Sequence, residues 1–187
     1  RPVHINNWEA TYFQFITDTI CRIAEKAASL GVEMLVLDDG WFGKRDDDNS
    51  GLGDWYVNEK KLPGGLNPLI ERVNALGMKF GIWIEPEMIS EDSDLYRAHH
   101  DWALTLPGRD PAMGRDQLVL DYGRDEVVDY MTEVLSDLLR NHHIEYVKWD
   151  MNRNMSDVYS RALPPERQGE VAHRYMLGVY RLLDRLT

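Results

Sequence analysis

Residues 32–41 read VEMLVLDDGW: a nearly continuous apolar run, then two aspartates, a glycine and a tryptophan. A strand covered on both faces has no polar side to show, so it reads as a run rather than as an alternation. Residues 79–84 (KFGIWI), ending in Glu85, Pro86 and Glu87, repeat the pattern, and residues 144–149 (IEYVKW), ending in Asp150, repeat it again. A short, partly apolar segment at 3–7 reads as an earlier strand.

Helical periodicities separate these runs. From Tyr12 the residues Ile16, Ile20, Ile23, Ala24, Ala27 and Leu30 keep a three-to-four spacing, closed by Gly31. Leu66, Leu69, Ile70, Val73 and Leu76, closed by Gly77, predict a second helix. A third covers 124–141, with Val127, Met131, Val134, Leu135 and Leu138 on one face. Val171, Tyr175, Met176, Val179, Leu182, Leu183 and Leu186 predict a last one, running to the end.

Strand and helix thus alternate four times, which predicts an α/β fold with a parallel sheet, either doubly wound or closed as a barrel. Helix-to-strand links are tight. Strand-to-helix links are long, at about 39–65, 86–123 and 150–168, and ligand sites of both architectures lie at that end of the strands. No G-x-G-x-x-G turn follows the first strand, against a nucleotide-binding doubly wound sheet. The expected fold is therefore a (βα)4 half of a TIM (β/α)8 barrel, with residues 1–187 as one fragment of four βα units. The opening RPVHINNW already reads as a strand, as expected of a piece of a longer chain.

Charge narrows the partners. With 32 acidic against 21 basic side chains the formal charge is −11, which repels phosphate backbones and anionic lipid. Nucleic-acid and membrane partners are not expected, and no apolar run approaches the roughly 20 residues that span a bilayer. The single cysteine, Cys21, excludes an internal disulfide and falls in a helical pattern, where it reads as a small packing residue.

The strand ends carry the chemistry. Asp38 and Asp39 follow one strand, Glu85 and Glu87 another, and Lys148, Asp150 and Asn152 alternate along the fourth. Alternation puts those three on one face, and a lysine two residues from a carboxylate favours its ionised form. An oriented, ionised carboxylate is what attack on an anomeric carbon needs. Singly, each feature has a plainer reading. Asp38 or Asp39 could cap a helix or hold a turn, and Trp41, Trp55 and Trp83 could be packing residues. Their convergence with Lys148 and Asn152 favours a polyhydroxylated ligand. The rival reading gives Asp38, Asp39, Glu85, Glu87 and Asp150 to Mg²⁺ or Mn²⁺. Lys148 in their midst would repel such a cation.

The segments INNWEATYF (5–13), LDDGWFGKRDDD (37–48), LGDWYVNEKKLPGGL (52–66), GIWIEPEMIS (81–90), GRDQLVLDYGR (114–124) and YVKWDMNR (146–153) closely resemble the bacterial and fungal α-galactosidases of glycoside hydrolase family 36. The resemblance runs in order to about residue 160. It implies a retaining hydrolase of terminal α-galactosides such as melibiose or raffinose, with Asp150 as nucleophile and no cofactor or metal. Asp38 and Asp39 would hold the galactose hydroxyls. Trp83, Lys148 and Asn152 match other pocket positions, Arg115 and Trp8 match further substrate contacts, and Glu85 and Glu87 would support them. The resemblance places the acid/base aspartate on a later strand. The second half-barrel and flanking domains would lie outside these residues, and the isolated chain is expected to be inactive. Asp157 is the only acidic residue closely following Asp150, and no motif makes it a substitute. A cytoplasmic bacterial parent is implied. A half-sheet with unpaired first and fourth strands is expected to self-associate.

Overall fold

The computed structural model describes residues 1–187. In chain order the elements are β1 (His4–Asn6), α1 (Trp8–Thr11), α2 (Thr17–Ser29), β2 (Met34–Leu37), α3 (Asn67–Ala75), β3 (Lys79–Ile84), β4 (Met88–Ile89), α4 (Asp94–Ala98), β5 (Leu118–Val119), α5 (Asp125–Asn141), β6 (Tyr146–Trp149) and α6 (Val171–Leu186). Short 3₁₀ turns occupy His100–Trp102 and Pro165–Glu170. No helix is long and apolar enough to cross a membrane.

The residues group into two compact units. The first comprises Arg1–Asp47, Trp55–Ile84 and Leu139–Asp150. Its frame is a parallel sheet in the order β1-β2-β3-β6. All of β2 is buried, as is β3 from Phe80 on, which is why both read as apolar runs. The outer strands β1 and β6 have no buried residue. Across the β3–β6 pairing, Gly81 faces Tyr146, and a Cβ on Gly81 would lie 2.9 Å from the tyrosine ring. The α/β fold, with parallel strands and intervening helices, has the arrangement of a partial barrel.

The expected strands hold, with shorter ends in three of four. The first helix differs more. A helix continuous from Tyr12 was the expectation, but Trp8–Thr11 forms one turn that Tyr12 breaks at φ 45°, and α2 starts only at Thr17. A tyrosine in the left-handed region cannot propagate a right-handed helix. Ile16 is consequently exposed, and α2 buries Ile20, Cys21, Ala24 and Ala27.

The second unit comprises Asp48–Asp54, Glu85–Leu138 and Met151–Thr187. It holds the antiparallel pair β4–β5 and helix α4, none of which the sequence reading anticipated in the 86–123 link. In α6 the buried face is Val171, Tyr175, Gly178, Val179 and Leu182, so Met176 and Leu183, read as part of that face, are exposed. At Gly178 the helix backbone runs so close to the Tyr122 carbonyl that a Cβ there would overlap it.

Candidate active site

The C-terminal ends of β2, β3 and β6 bring five of the expected side chains together within the first unit. Asp38 and Asp39 leave β2 fully paired. The Asp38 backbone N–H donates to Asn7 Oδ1 at 2.8 Å, and its carboxylate accepts the Asp39 N–H at 2.9 Å and Lys148 Nζ at 2.8 Å. Lys148 projects from β6 beside Trp83 of β3, its register partner. Lys148 thus places an ammonium group on Asp38. Asp150 continues the β3–β6 pairing one step past the strand, its N–H donating to the Ile84 carbonyl at 2.8 Å. Its Oδ2 accepts the Trp83 indole N–H at 3.0 Å.

Trp83 is held from behind. Its carbonyl accepts the Trp41 indole N–H at 2.9 Å, and its ring lies 6.1 Å from Phe42, nearly parallel, with Trp55 at 6.3 Å. Only 2% of Trp83 is exposed, so its contribution is a donor on Asp150 and a wall of packed rings. The Trp55 indole N–H is buried in this group without an acceptor.

Asp39 carries a partner that the sequence reading missed. Arg45, 1% exposed, straddles its carboxylate, with Nε 3.0 Å from Oδ1 and Nη2 2.9 Å from Oδ2. Burial pushes the Asp39 carboxyl above the usual carboxylate range, against the pull of Arg45 and the Gly40 N–H. The Phe13 ring lies 5.4 Å from the guanidinium and 5.1 Å from Trp8, edge-on, so Trp8 is tied to this group through Phe13. Lys61 closes the loop by donating to the Gly40 and Arg45 carbonyls at 2.9 and 2.8 Å, and it pairs with Asp46 at 2.9 Å. Asn7 was likewise missed, in favour of its neighbour Trp8. The only sequence signal for Arg45 is a cation opening the acidic run RDDD at 45–48.

The remaining named residues belong to the second unit. The Asn152 N–H donates to the fully buried Glu85 at 2.5 Å, and Gln117 Nε2 lies 3.4 Å from the same carboxylate. Glu87 accepts the Tyr175 hydroxyl, while Tyr122 donates to the Pro86 carbonyl at 2.6 Å. Arg115 sits with Asp116 at the tip of a tight turn bridged by Gly114 and Gln117, both tip residues at φ 54°. Its side chain is half exposed, with Asp48 at 4.0 Å. Asp157 is buried and accepts from Arg109 and from the Ala112 N–H, so it anchors the loop below that turn.

Residues 1–187 match the family model described as Melibiase. The chain is 59% identical over its full length to α-galactosidase AgaA of Geobacillus stearothermophilus and 57% identical to α-galactosidase 1 of Pediococcus pentosaceus. It spans 26% of each of these relatives. Among solved structures, a doubly substituted variant of the Geobacillus enzyme in complex with raffinose matches all of this chain with a TM-score of 0.97 at 59% identity. A second doubly substituted variant, in complex with stachyose, matches with a TM-score of 0.97 at 58% identity. Each covers 100% of this chain, which covers 26% of theirs.

Proposed function

Because the chain belongs to the melibiase family, we propose that it carries the nucleophile and the sugar-holding carboxylates of a retaining α-galactosidase. The observation that supports this most directly is the pair of contacts on adjacent parallel strands, Lys148 on Asp38 and Trp83 on Asp150. Asp150 attacks the anomeric carbon while the departing oxygen takes a proton, and water then releases galactose with its configuration retained. Trp83 fixes the rotation of the attacking carboxylate. Asp38 and Asp39 accept the sugar hydroxyls, with Lys148 and Trp8 beside them. Arg115 and Asn152 enter as substrate contacts by resemblance alone. Substrates are terminal α-galactosides of the class bound in the raffinose and stachyose complexes of the Geobacillus relative.

The acid/base partner in this reading is an aspartate outside residues 1–187, and the four βα units are half of a barrel. Asp157 is no substitute, because Arg109 and the Ala112 N–H already hold it. The chain alone is then inactive. The test is p-nitrophenyl α-galactoside hydrolysis by the chain, by the chain with the complementary half of the barrel, and by an Asp150→Asn control. Activity that needs the added half and vanishes in the control is expected. Turnover by the pure chain alone, or by the Asp150→Asn mixture, overturns the reading.

A second reading rests on β1 and β6, which have a paired neighbour on one side only. Parallel edges of this kind recruit further strands, so self-association is proposed. A single monomeric species across a concentration series in sedimentation overturns it.

A further inference from the structure

Adjacent aspartates at the end of one strand are held in different ways. Asp38 takes one cation end-on from a partly exposed lysine, whereas Asp39 takes a fork from an arginine that is itself buried. A side-on guanidinium bonds both oxygens at once and fixes the plane of the carboxylate, which a lysine cannot do. An ionised carboxylate has about four lone-pair sites, so the fork leaves others for a ligand. The arginine is in turn immobilised, with Phe13 against its guanidinium and Lys61 on its carbonyl.

We propose that Arg45 is a positioning residue for sugar recognition: it fixes the Asp39 carboxylate in one plane and holds it as a pure acceptor of ligand hydroxyls. The proposal rests on the reading of Asp39 as a sugar-holding group. Without the fork, Asp39 is a buried acid beside another acid. Asp38 faces it, Lys148 is committed to Asp38, and Lys61 is committed to Asp46 and two carbonyls. No other cation among these groups is directed at Asp39. It then takes up a proton more readily and turns into a mixed donor and acceptor, a poorer match to a row of hydroxyls.

Arg45→Gln keeps a planar hydrogen-bonding head without the charge, and Arg45→Lys keeps the charge without the fork. Two measurements on the 187-residue chain separate the parts of the proposal. The first follows the Asp39 carboxyl carbon by NMR between about pH 4 and 9, assigned with Asp39→Asn. Its titration midpoint is expected to move upward in Arg45→Gln and to be intermediate in Arg45→Lys. An unmoved midpoint in folded Arg45→Gln overturns the proposal. Should Arg45→Gln fail to fold, Arg45→Lys decides by the same criterion.

The second measurement is D-galactose binding by calorimetry. Arg45→Gln is expected to bind about tenfold more weakly than wild type, the worth of one hydrogen bond to a charged group. The deficit should widen as pH falls, while Asp39→Asn binds weakly at every pH. Equal affinities of wild type and Arg45→Gln overturn the proposal even if the NMR midpoint moves. A wild-type chain indifferent to galactose both alone and with the complementary half of the barrel overturns the sugar reading and the recognition half of this one. The titration then still decides whether Arg45 governs the state of Asp39.

Discussion

The indole N–H of Trp83 reaches Asp150 Oδ2 at 3.0 Å, while the carbonyl of the same tryptophan receives Trp41 at 2.9 Å. One residue therefore transmits the packing of the aromatic group to the orientation of the carboxylate. Trp83→Phe removes the donor together with one ring of a buried indole, keeping an aromatic ring beside Phe42 and Trp55. In the chain completed with the other half of the barrel, hydrolysis of p-nitrophenyl α-galactoside is expected to fall about tenfold or more. The melting temperature should fall as well, because the smaller ring leaves a gap in the buried aromatic group. Unchanged turnover would mean that the bond does not orient the carboxylate.

Lys148→Met leaves Asp38 buried and without its cation. Because the lysine is partly exposed, solvent screens some of the loss, and a cost of about 2 kcal/mol is expected. Adding Asp38→Asn should return a good part of it. Urea unfolding of the two single variants and the double variant measures the coupling, and additive losses would remove the ion pair from the account.

Gly178→Ala places a methyl group where the Tyr122 carbonyl stands. Alanine favours helix, so propensity predicts a gain, but overpacking should win with a loss of about 1–3 kcal/mol. Stabilisation in urea would show that α6 shifts freely.

Trp55→Phe should cost little or nothing. It deletes a buried indole N–H that has no acceptor and keeps an aromatic ring beside Phe42 and Trp83. Stability within about 1 kcal/mol of wild type, or above it, is expected by thermal unfolding. A large loss would mean that ring size matters more than the unpaired donor.

Burial also lifts the Asp121 carboxyl above the ordinary range, against bonds from Ser160 and the Gly123 N–H. An acid with a raised folded pKa holds its proton more tightly when folded. That contribution is complete below the unfolded pKa, about 3.9, and is lost as pH rises through the folded value. Over this window wild-type stability should fall more steeply with pH than that of Asp121→Asn. Parallel curves would show that Asp121 does not titrate abnormally.

What the sequence disclosed follows from where the information is stored. The apolar runs at 34–37 and 80–84 are buried on both faces, so their composition is itself the signal, and β3 keeps the expected bounds of 79–84. Polar residues at the C-terminal ends also stand out, because nothing within 34–37 or 80–84 is polar. Arg45 was invisible for the opposite reason. An arginine opening an acidic loop has no period and the composition of a solvated stretch, and only its contacts with Asp39 and Phe13 show it to be buried. The two-residue strands β4 and β5 are too short to leave a pattern, and the break at Tyr12 depends on one backbone angle.

The two strand-end aspartates find their cations at very different distances along the chain: six residues for Asp39 and Arg45, 110 for Asp38 and Lys148. Closing the longer loop costs about 2.5 kcal/mol more chain entropy. One of the two aspartates can therefore meet its counterion through local chain as soon as β2 and its loop have emerged, and the other must wait for β6. On a ribosome, the site would be written in two instalments, with Asp38 the later of the two neighbours to acquire its counterion.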